Sequence, residues 1–298
     1  MGESSLIFDR SLLRLRRRRA LALGPATFLL ERAASELAER LAAVVRRFPV
    51  ALDLGTPGDQ VRIALSGLAS VGAIVAANAG RESIRAPLFV AADEEALPFG
   101  DGAFDLVVSA LSLQFVNDLP GTLVQIRRAL RPDGLFLAVL MGGETLTELR
   151  QCFAAAESEI EGGLSPRVAP FADLRDLGAL LQRAGFALPV TDSDRITVRY
   201  DSAFGLMHDL RRMGATNGLR DRRRTPLRRA TLMRMAETYS QRFADADGRV
   251  RATFEFLWLS GWAPHPSQQR PLKPGSAQTR LADVLGTREF SAGEKAEK

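Results

Sequence analysis

The sequence is poor in the side chains that build disulfides and metal sites. Its 298 residues include one cysteine, Cys152, and two histidines, His208 and His265. A single cysteine excludes an internal disulfide framework and a Cys-rich zinc site. So few ligands also disfavour a metal site of His and Cys, whereas a carboxylate-rich site stays open. The two histidines lie far apart in the chain, so no iron site of two histidines and one carboxylate is predicted. We expect no bound metal and, from the cysteine usage, a cytoplasmic protein.

Long apolar runs and lysines are also scarce. No apolar run approaches the ~20 residues of a membrane span, and only three of the 40 basic residues are lysines. The arginines cluster at residues 14–19 and 220–229. These clusters suit nucleic-acid binding, ordinary solvated helix faces, or docking to an acidic protein. Because no aromatic rings interleave with the arginines, nucleic acid is not favoured. The acidic Glu3 and Asp9 argue against a targeting segment.

Apolar segments alternate with helical patterns in the first half of the chain. These segments cover residues 50–55, 72–78, 88–93, 104–110 and 134–140. Several are continuous apolar runs, as expected for parallel strands covered on both faces. Apolar residues at helical spacing predict a helix within 25–47, before the first strand. Strands that alternate with helices predict a doubly wound α/β sheet.

The second half mixes helical and extended patterns. We predict helices around 143–159 and ending near 186, extended segments at 187–192 and 195–200, helices over 202–213 and 225–244, and a late strand over 252–263. The predicted organisation is an N-terminal helical segment (1–47), a main domain (48–263) with a helical insertion at about 201–250, and a C-terminal tail (264–298). We expect disorder at the end of the tail, over 291–298.

Polar residues follow three of the predicted strands. Asp53 and Gly55 end the first strand, Asn78 the second, and Asp93 and Glu94 the third. Ligands of open α/β sheets bind at this edge, where the strand order reverses. An acidic residue after the second strand commonly binds ribose hydroxyls, and a carboxylate after the third can accept from an adenine amino group. Taken singly, each of these residues is equally an ordinary polar loop residue.

Longer motifs carry a family resemblance. The stretch "LDLG" (52–55) and the "LPF…FDLVVS" combination within 91–136 resemble class I S-adenosylmethionine-dependent methyltransferases of the biotin-synthesis type. Further stretches resemble the mitochondrial complex I assembly factor 5 family and its bacterial relatives. They are "IFDR" (7–10) and residues 161–186, 206–217 and 261–277.

This resemblance implies a Rossmann-like class I methyltransferase fold. Its sheet is seven-stranded and mostly parallel, with helices on both faces and a helical insertion before the last strand. The resemblance also implies S-adenosylmethionine as cofactor and a complex I subunit as protein partner, on which the mitochondrial member acts as a protein-arginine hydroxylase. The cofactor-binding positions are Asp53, Gly55, Gly58, Asn78, Asp93, Glu94 and Ser109.

The cofactor loop departs from the family pattern Asp-Leu-Gly-Cys-Gly-x-Gly. Thr56, Pro57 and Asp59 stand in place of the cysteine and two glycines, and Asn78 in place of a ribose-binding aspartate. Pro57 removes an N–H donor, and Asp59 adds negative charge near a ligand that carries a carboxylate. Charged hydrogen bonds contribute about 1.5–3 kcal/mol against about 1 for neutral pairs. We therefore expect cofactor binding that is weak or lost.

Four residues are candidate substrate contacts: Gln114 after the fourth strand, and His265, Gln268 and Arg270 after the last. For the last three, stabilisation of the loop by side-chain hydrogen bonds is the alternative, and for Phe115, which follows Gln114, the alternative is packing. No residue is identified as a catalytic base. Three functions stay open. The chain modifies an arginine of a complex I subunit or assists complex I assembly, it is a catalytically silent scaffold, or it methylates a carboxyl group on an acyl-carrier substrate. Without a transmembrane segment, any membrane association is peripheral, through the complex.

Overall fold

The structure is a computed structural model that describes residues 6–81, 84–269 and 279–288. Its helices are α1 (Arg10–Ala22), α2 (Phe28–Ala42), α3 (Gln60–Ser66), α4 (Leu119–Ala129), α5 (Thr147–Glu161), α6 (Leu174–Arg183), α7 (Ala203–Arg212), α8 (Arg229–Phe243) and α9 (Leu281–Leu285). Its strands are β1 (Phe48–Leu54), β2 (Val71–Asn78), β3 (Phe89–Ala91), β4 (Phe104–Ala110), β5 (Leu130–Met141), β6 (Ala187–Tyr200) and β7 (Val250–Trp262). The chain divides into two units, Met1–Pro264 and His265–Lys298; the sheet and α1–α8 belong to the first, and α9 to the second.

The strands of the first unit form one sheet in the order β3-β2-β1-β4-β5-β7-β6. The first five strands pair in parallel, and β7 pairs antiparallel with both β5 and β6. This is a Rossmann-like α/β fold, and it confirms the predicted fold class. The chain runs outward from β1 to β3 and then returns to the other side of β1, so the strand order reverses between β1 and β4. That reversal is where such sheets bind ligands.

Helices cover both faces of the sheet. Successive residues of a strand point to opposite faces, and the central strands have apolar residues on both. Leu106 and Val108 belong to one core, with buried residues of α2, α3, α5, α7 and α8. Val107 and Phe136 belong to the other, with residues of α4 and α6. Burial on both faces explains the continuous apolar runs of β4 and β5.

Two helices precede the sheet. α1 contains the first arginine cluster and begins after Asp9, whose side chain accepts from the Leu12 amide at 3.0 Å. α2 is shorter than the predicted range of 25–47, because it runs from Phe28 to Ala42. Between them, Gly24 adopts a left-handed conformation with φ of +76°.

The structure corrects the prediction of two extended segments at the edge of the sheet. The two extended segments expected at 187–192 and 195–200 are a single strand, β6. The polar residues between them suggested a break, yet Asp192, Ser193 and Asp194 all pair with β7. The neighbouring strand supplies a ladder of hydrogen bonds that local propensity does not anticipate.

The helices α7 and α8 lie between β6 and β7 in the chain. Met235 and Tyr239 of α8 are fully buried, and the Tyr239 hydroxyl donates to the Arg251 carbonyl oxygen at 2.9 Å. Across the described residues, no helix is long and apolar enough to cross a bilayer.

Part of the second arginine cluster forms internal ion pairs. Arg222 pairs with Asp9 at 3.1 Å, and Arg223 pairs with Glu161 at 2.9 Å. These contacts tie the 220–229 segment to the helices around it. The tail segment 291–298, for which we expect disorder, lies outside the described residues.

Candidate functional site

A cavity of about 360 Å³ lies at the carboxyl edge of the sheet. Residues that follow each of the strands β1 to β5 line it, and side chains of α1 and of the end of α7 line it as well. The lining includes Arg10, Arg14, Arg17, Pro57, Asn78, Glu94, Ser112, Gln114 and Phe115. The cavity therefore sits where the strand order reverses.

Gly55 shapes the turn after β1. Its φ of +73° is left-handed, and a Cβ atom there would lie 2.5 Å from Ser112 Oγ and 2.6 Å from Glu94 Oε1. Only glycine combines this backbone conformation with so close an approach. The turn brings the β1, β3 and β4 loops together beside the cavity.

Asp53 lies under the loop and does not line the cavity. Its side chain is buried, accepts from Thr56 Oγ1 at 2.5 Å, and forms an ion pair with Arg62 of α3. Burial raises the pKa of Asp53 to about 6, although the Arg62 guanidinium acts in the opposite direction. Asp53 thus holds the loop against α3. The predicted role in cofactor binding stays a prediction.

Asp59 does not present a free charge to the cavity. It forms an ion pair with Arg62, and its Oδ1 accepts from the Arg85 amide at 2.9 Å. Asp59 shares the Arg62 guanidinium with Asp53, so one negative charge remains in this group, and the expectation that Asp59 repels a ligand carboxylate stays a prediction. Pro57, by contrast, lines the cavity.

Asn78 lines the cavity and also supports the loop. Its Nδ2 donates to the Thr56 carbonyl oxygen at 3.1 Å. Ser109 and Gly58 support the same loop from outside the lining. Ser109 Oγ donates to the Leu54 carbonyl oxygen at 2.7 Å, and Gly58 is buried.

The carboxylates after β3 pair with arginines of α1. Glu94 accepts from Ser112 Oγ at 3.0 Å and forms an ion pair with Arg10. Asp93 pairs with Arg10 and, at 2.5 Å, with Arg14. Burial opposes the charge on Asp93, but the Glu95 amide and the arginines outweigh it and lower the pKa of that carboxyl. Glu94 lines the cavity, whereas Asp93 faces α1.

The arginines of α1 were not predicted as part of the site. Arg10, Arg14 and Arg17 are spaced at i, i+4 and i+7, which places them on one helix face. All three line the cavity. This spacing was the signal in the sequence that could have identified them.

The predicted substrate residues fall into different parts of the structure. Gln114 lines the cavity and is 9% exposed, and within the described residues its Oε1 has no hydrogen-bond partner. His265 and Gln268 belong to the second unit, where Gln268 Oε1 accepts from the His265 amide at 3.1 Å. Arg270 lies outside the described residues. Their substrate roles remain predictions.

The geometry is that of a small-molecule site. A volume of 360 Å³ is in the range of small-molecule sites, which are apolar pockets with few convergent polar groups. An unpartnered buried amide oxygen such as that of Gln114 calls for a donor. The described residues contain no cluster of three or more His, Cys, Asp or Glu side chains that could hold a metal.

Comparisons with known proteins agree with this geometry. Residues 57–138 match the methyltransferase domain family. The mitochondrial arginine-hydroxylase NDUFAF5 of Danio rerio is 40% identical over 288 residues, which cover 93% of this chain and 89% of that protein. A malonyl-(acyl-carrier protein) O-methyltransferase of Laribacter hongkongensis is 39% identical over 191 residues, or 64% of this chain and 62% of that enzyme.

Among solved structures, the YcgJ protein of Bacillus subtilis is similar with a TM-score of 0.52 at 15% identity, over 77% of this chain and 99% of that one. At this identity the likeness shows the fold alone. The curated relatives show more, because identity near 40% extends over most of both chains. The chain belongs to the NDUFAF5 arginine-hydroxylase family of methyltransferase-fold proteins.

Proposed function

We propose that this protein binds S-adenosylmethionine in the cavity and modifies an arginine of a respiratory complex I subunit, or assists complex I assembly in that bound state. The observation that carries the proposal is the cavity itself, at the strand-order reversal and lined by Asn78, Glu94 and Gln114. The arginine substrate is inferred from relatives that are named arginine-hydroxylases, and the complex I partner from the family resemblance. The cytoplasmic location stays a prediction from cysteine usage.

Different side chains of the cavity are expected to contact different parts of the cofactor. Bound S-adenosylmethionine supplies an electrophilic methyl group on a sulfonium ion. Asn78 donates its Nδ2 to the Thr56 carbonyl oxygen, so its Oδ1 is the atom that can accept from a ribose hydroxyl. Glu94, which also lines the cavity, offers a second acceptor, and Arg10, Arg14 and Arg17 of α1 add positive charge to the lining.

Calorimetric titration with S-adenosylmethionine and S-adenosylhomocysteine tests this proposal. We expect saturable binding of both at micromolar concentrations. The variant Gly55→Val serves as the negative control. Its side chain would occupy the space of Ser112 Oγ and Glu94 Oε1, and we expect it to abolish binding. Absence of heat with the wild type at millimolar ligand contradicts the proposal.

The protein partner is tested separately. Capture from a native-like host followed by mass spectrometry should recover complex I subunits or assembly intermediates. Arginine modification on a recovered subunit should depend on the captured protein. Recovery of acyl-carrier proteins alone would favour carboxyl methylation instead.

One observation favours the silent scaffold as a second candidate. Asp93 and Glu94, the carboxylates predicted to bind adenosine, already pair with Arg10. If these ion pairs keep both carboxylates from the cofactor, no cofactor binds and the fold serves as a surface for assembly. The titration above distinguishes the two, because the scaffold binds no cofactor.

A further inference from the structure

Arg17 places a guanidinium in the cavity that has no hydrogen-bond or ion-pair partner in the described part of the chain. It lines the cavity, and among the described residues no hydrogen bond or ion pair joins it to another side chain. Its guanidinium carbon lies 5.9 Å from the centroid of the Phe115 ring. The neighbouring Arg10 and Arg14, on the same helix face, both have carboxylate partners.

The environment of Arg17 makes an unpaired charge costly. Burial lowers the pKa of Arg17, the Glu94 carboxylate opposes that change, and Arg10 and Arg14 add to it. Arginine nevertheless keeps its charge in proteins. A charged group withdrawn from water is stabilised when an anion pairs with it. The cavity therefore presents a site for a negative group.

Gln114 presents the opposite requirement. It precedes Phe115 in the chain, is 9% exposed, and its Oε1 lacks a partner in the described part of the chain. A buried carbonyl oxygen without a donor costs free energy that a ligand N–H would recover. Arg17, over the Phe115 ring, and Gln114, the residue before Phe115, thus offer one cavity a cationic donor and a neutral acceptor.

We propose that Arg17 and Gln114 form the subsite for the α-amino-acid end of S-adenosylmethionine. Arg17 binds the carboxylate, and Gln114 Oε1 accepts from the ammonium group. The inference rests on the proposed function, since it needs the cofactor in this cavity. It also explains how the cofactor can bind although Pro57 replaces a glycine of the family loop. The proline removes a backbone N–H donor, and the charged guanidinium of Arg17 on α1 takes over that role.

The test compares three probes that lose the amino-acid end in steps. S-adenosylmethionine has both charged groups, decarboxylated S-adenosylmethionine keeps only the amine, and 5′-methylthioadenosine has neither. Each is titrated calorimetrically into the wild type, Arg17→Gln, Gln114→Leu and Arg17→Lys. The matched control is Arg19→Gln, which removes an exposed charge from the last turn of the same helix.

The wild type should bind S-adenosylmethionine at least about 10-fold more tightly than the decarboxylated probe, the size of a charged hydrogen bond. Arg17→Gln should remove that preference and leave 5′-methylthioadenosine binding within about twofold. Gln114→Leu should weaken both amine-bearing probes and spare 5′-methylthioadenosine. Arg17→Lys should keep part of the preference, and Arg19→Gln all of it.

Three results would overturn the inference. The first is a wild type that binds S-adenosylmethionine and its decarboxylated form equally, a result that does not depend on any variant folding. The second is a folded Arg17→Gln that keeps the full preference. The third is equal weakening of all three probes by Arg17→Gln, which would mean that Arg17 only supports α1. A wild type that binds no probe overturns both this inference and the proposed function, whereas the first three results leave the proposed function standing.

Discussion

Asn78 donates its side-chain amide to the carbonyl oxygen of Thr56 at 3.1 Å. An aspartate, the family residue at this position, has no donor and would place a carboxylate against that carbonyl. The asparagine is therefore matched to this loop. We expect Asn78→Asp to lower the free energy of unfolding by about 1 kcal/mol, the value of one hydrogen bond.

The same contact revises what restoring the family loop should achieve. The sequence alone suggests that Thr56→Cys, Pro57→Gly, Asp59→Gly and Asn78→Asp together would tighten cofactor binding. In the structure, Thr56, Asp59 and Asn78 all hold the loop. We expect Pro57→Gly alone to tighten S-adenosylmethionine binding and the fourfold variant to be less stable. Parallel calorimetry and urea unfolding measure both effects, and a fourfold variant as stable as wild type would contradict them.

Arg62 compensates the buried charge of Asp53. Arg62→Leu leaves that carboxylate without its partner, and we expect a loss of about 3–5 kcal/mol in unfolding free energy. The double variant Asp53→Asn, Arg62→Leu is the control and should recover part of the loss. If the double variant is no more stable than Arg62→Leu, the pair does not act as a unit.

The pH dependence of this pair has a defined sign. In the wild type, burial raises the pKa of Asp53 from 3.8 to about 6. A raised carboxyl pKa means that the cost of the buried charge is present above pH of about 6 and is relieved as the pH falls toward 3.8. The loss in Arg62→Leu should be larger at about pH 7.5 than at about pH 5. Urea unfolding at the two values measures it, and equal losses would contradict the assignment.

A comparison of substitutions at Gly55 and Gly24 distinguishes the cost of backbone strain from the cost of a steric clash. Their φ angles are nearly the same, +73° and +76°, but only Gly55 has atoms within reach of an added Cβ. We expect Gly24→Ala to cost about 1–2 kcal/mol from the left-handed backbone. Gly55→Ala should cost a further 1–3 kcal/mol, about the effect of overpacking. Thermal unfolding of the two variants measures the difference, and equal costs would mean that Ser112 and Glu94 can move aside.

Arg10 joins α1 to the loop after β3. It pairs with Asp93, Glu94 and, at 2.9 Å, with Glu95. Arg10→Gln leaves Glu94 buried without its cation, and we expect a cost of about 1–3 kcal/mol. Cleavage within α1 should also become faster in limited proteolysis. The control is Arg18→Gln on the same helix, and equal behaviour of the two variants would rule out a specific role for Arg10.

Much of the fold follows from local patterns. Continuous apolar runs such as 104–110 predict strands buried on two faces, and the alternation with helices predicts the sheet class. The extended strand β6 shows where local patterns fail. Its polar centre forms a strand because β7 supplies the hydrogen bonds, and pairing of that kind involves residues far apart in sequence.

For the candidate site, the sequence by itself determined which loops meet at the carboxyl edge, because parallel strands bring their ends together. It placed Asn78, Glu94 and Gln114 at the cavity in this way. Only the tertiary structure decided how charges pair. Arg62 pairs with both Asp53 and Asp59, and Arg10 reaches Asp93 from 83 positions earlier in the chain. Ion pairs depend on distances of a few ångströms between elements, and spacing along one chain does not contain those distances.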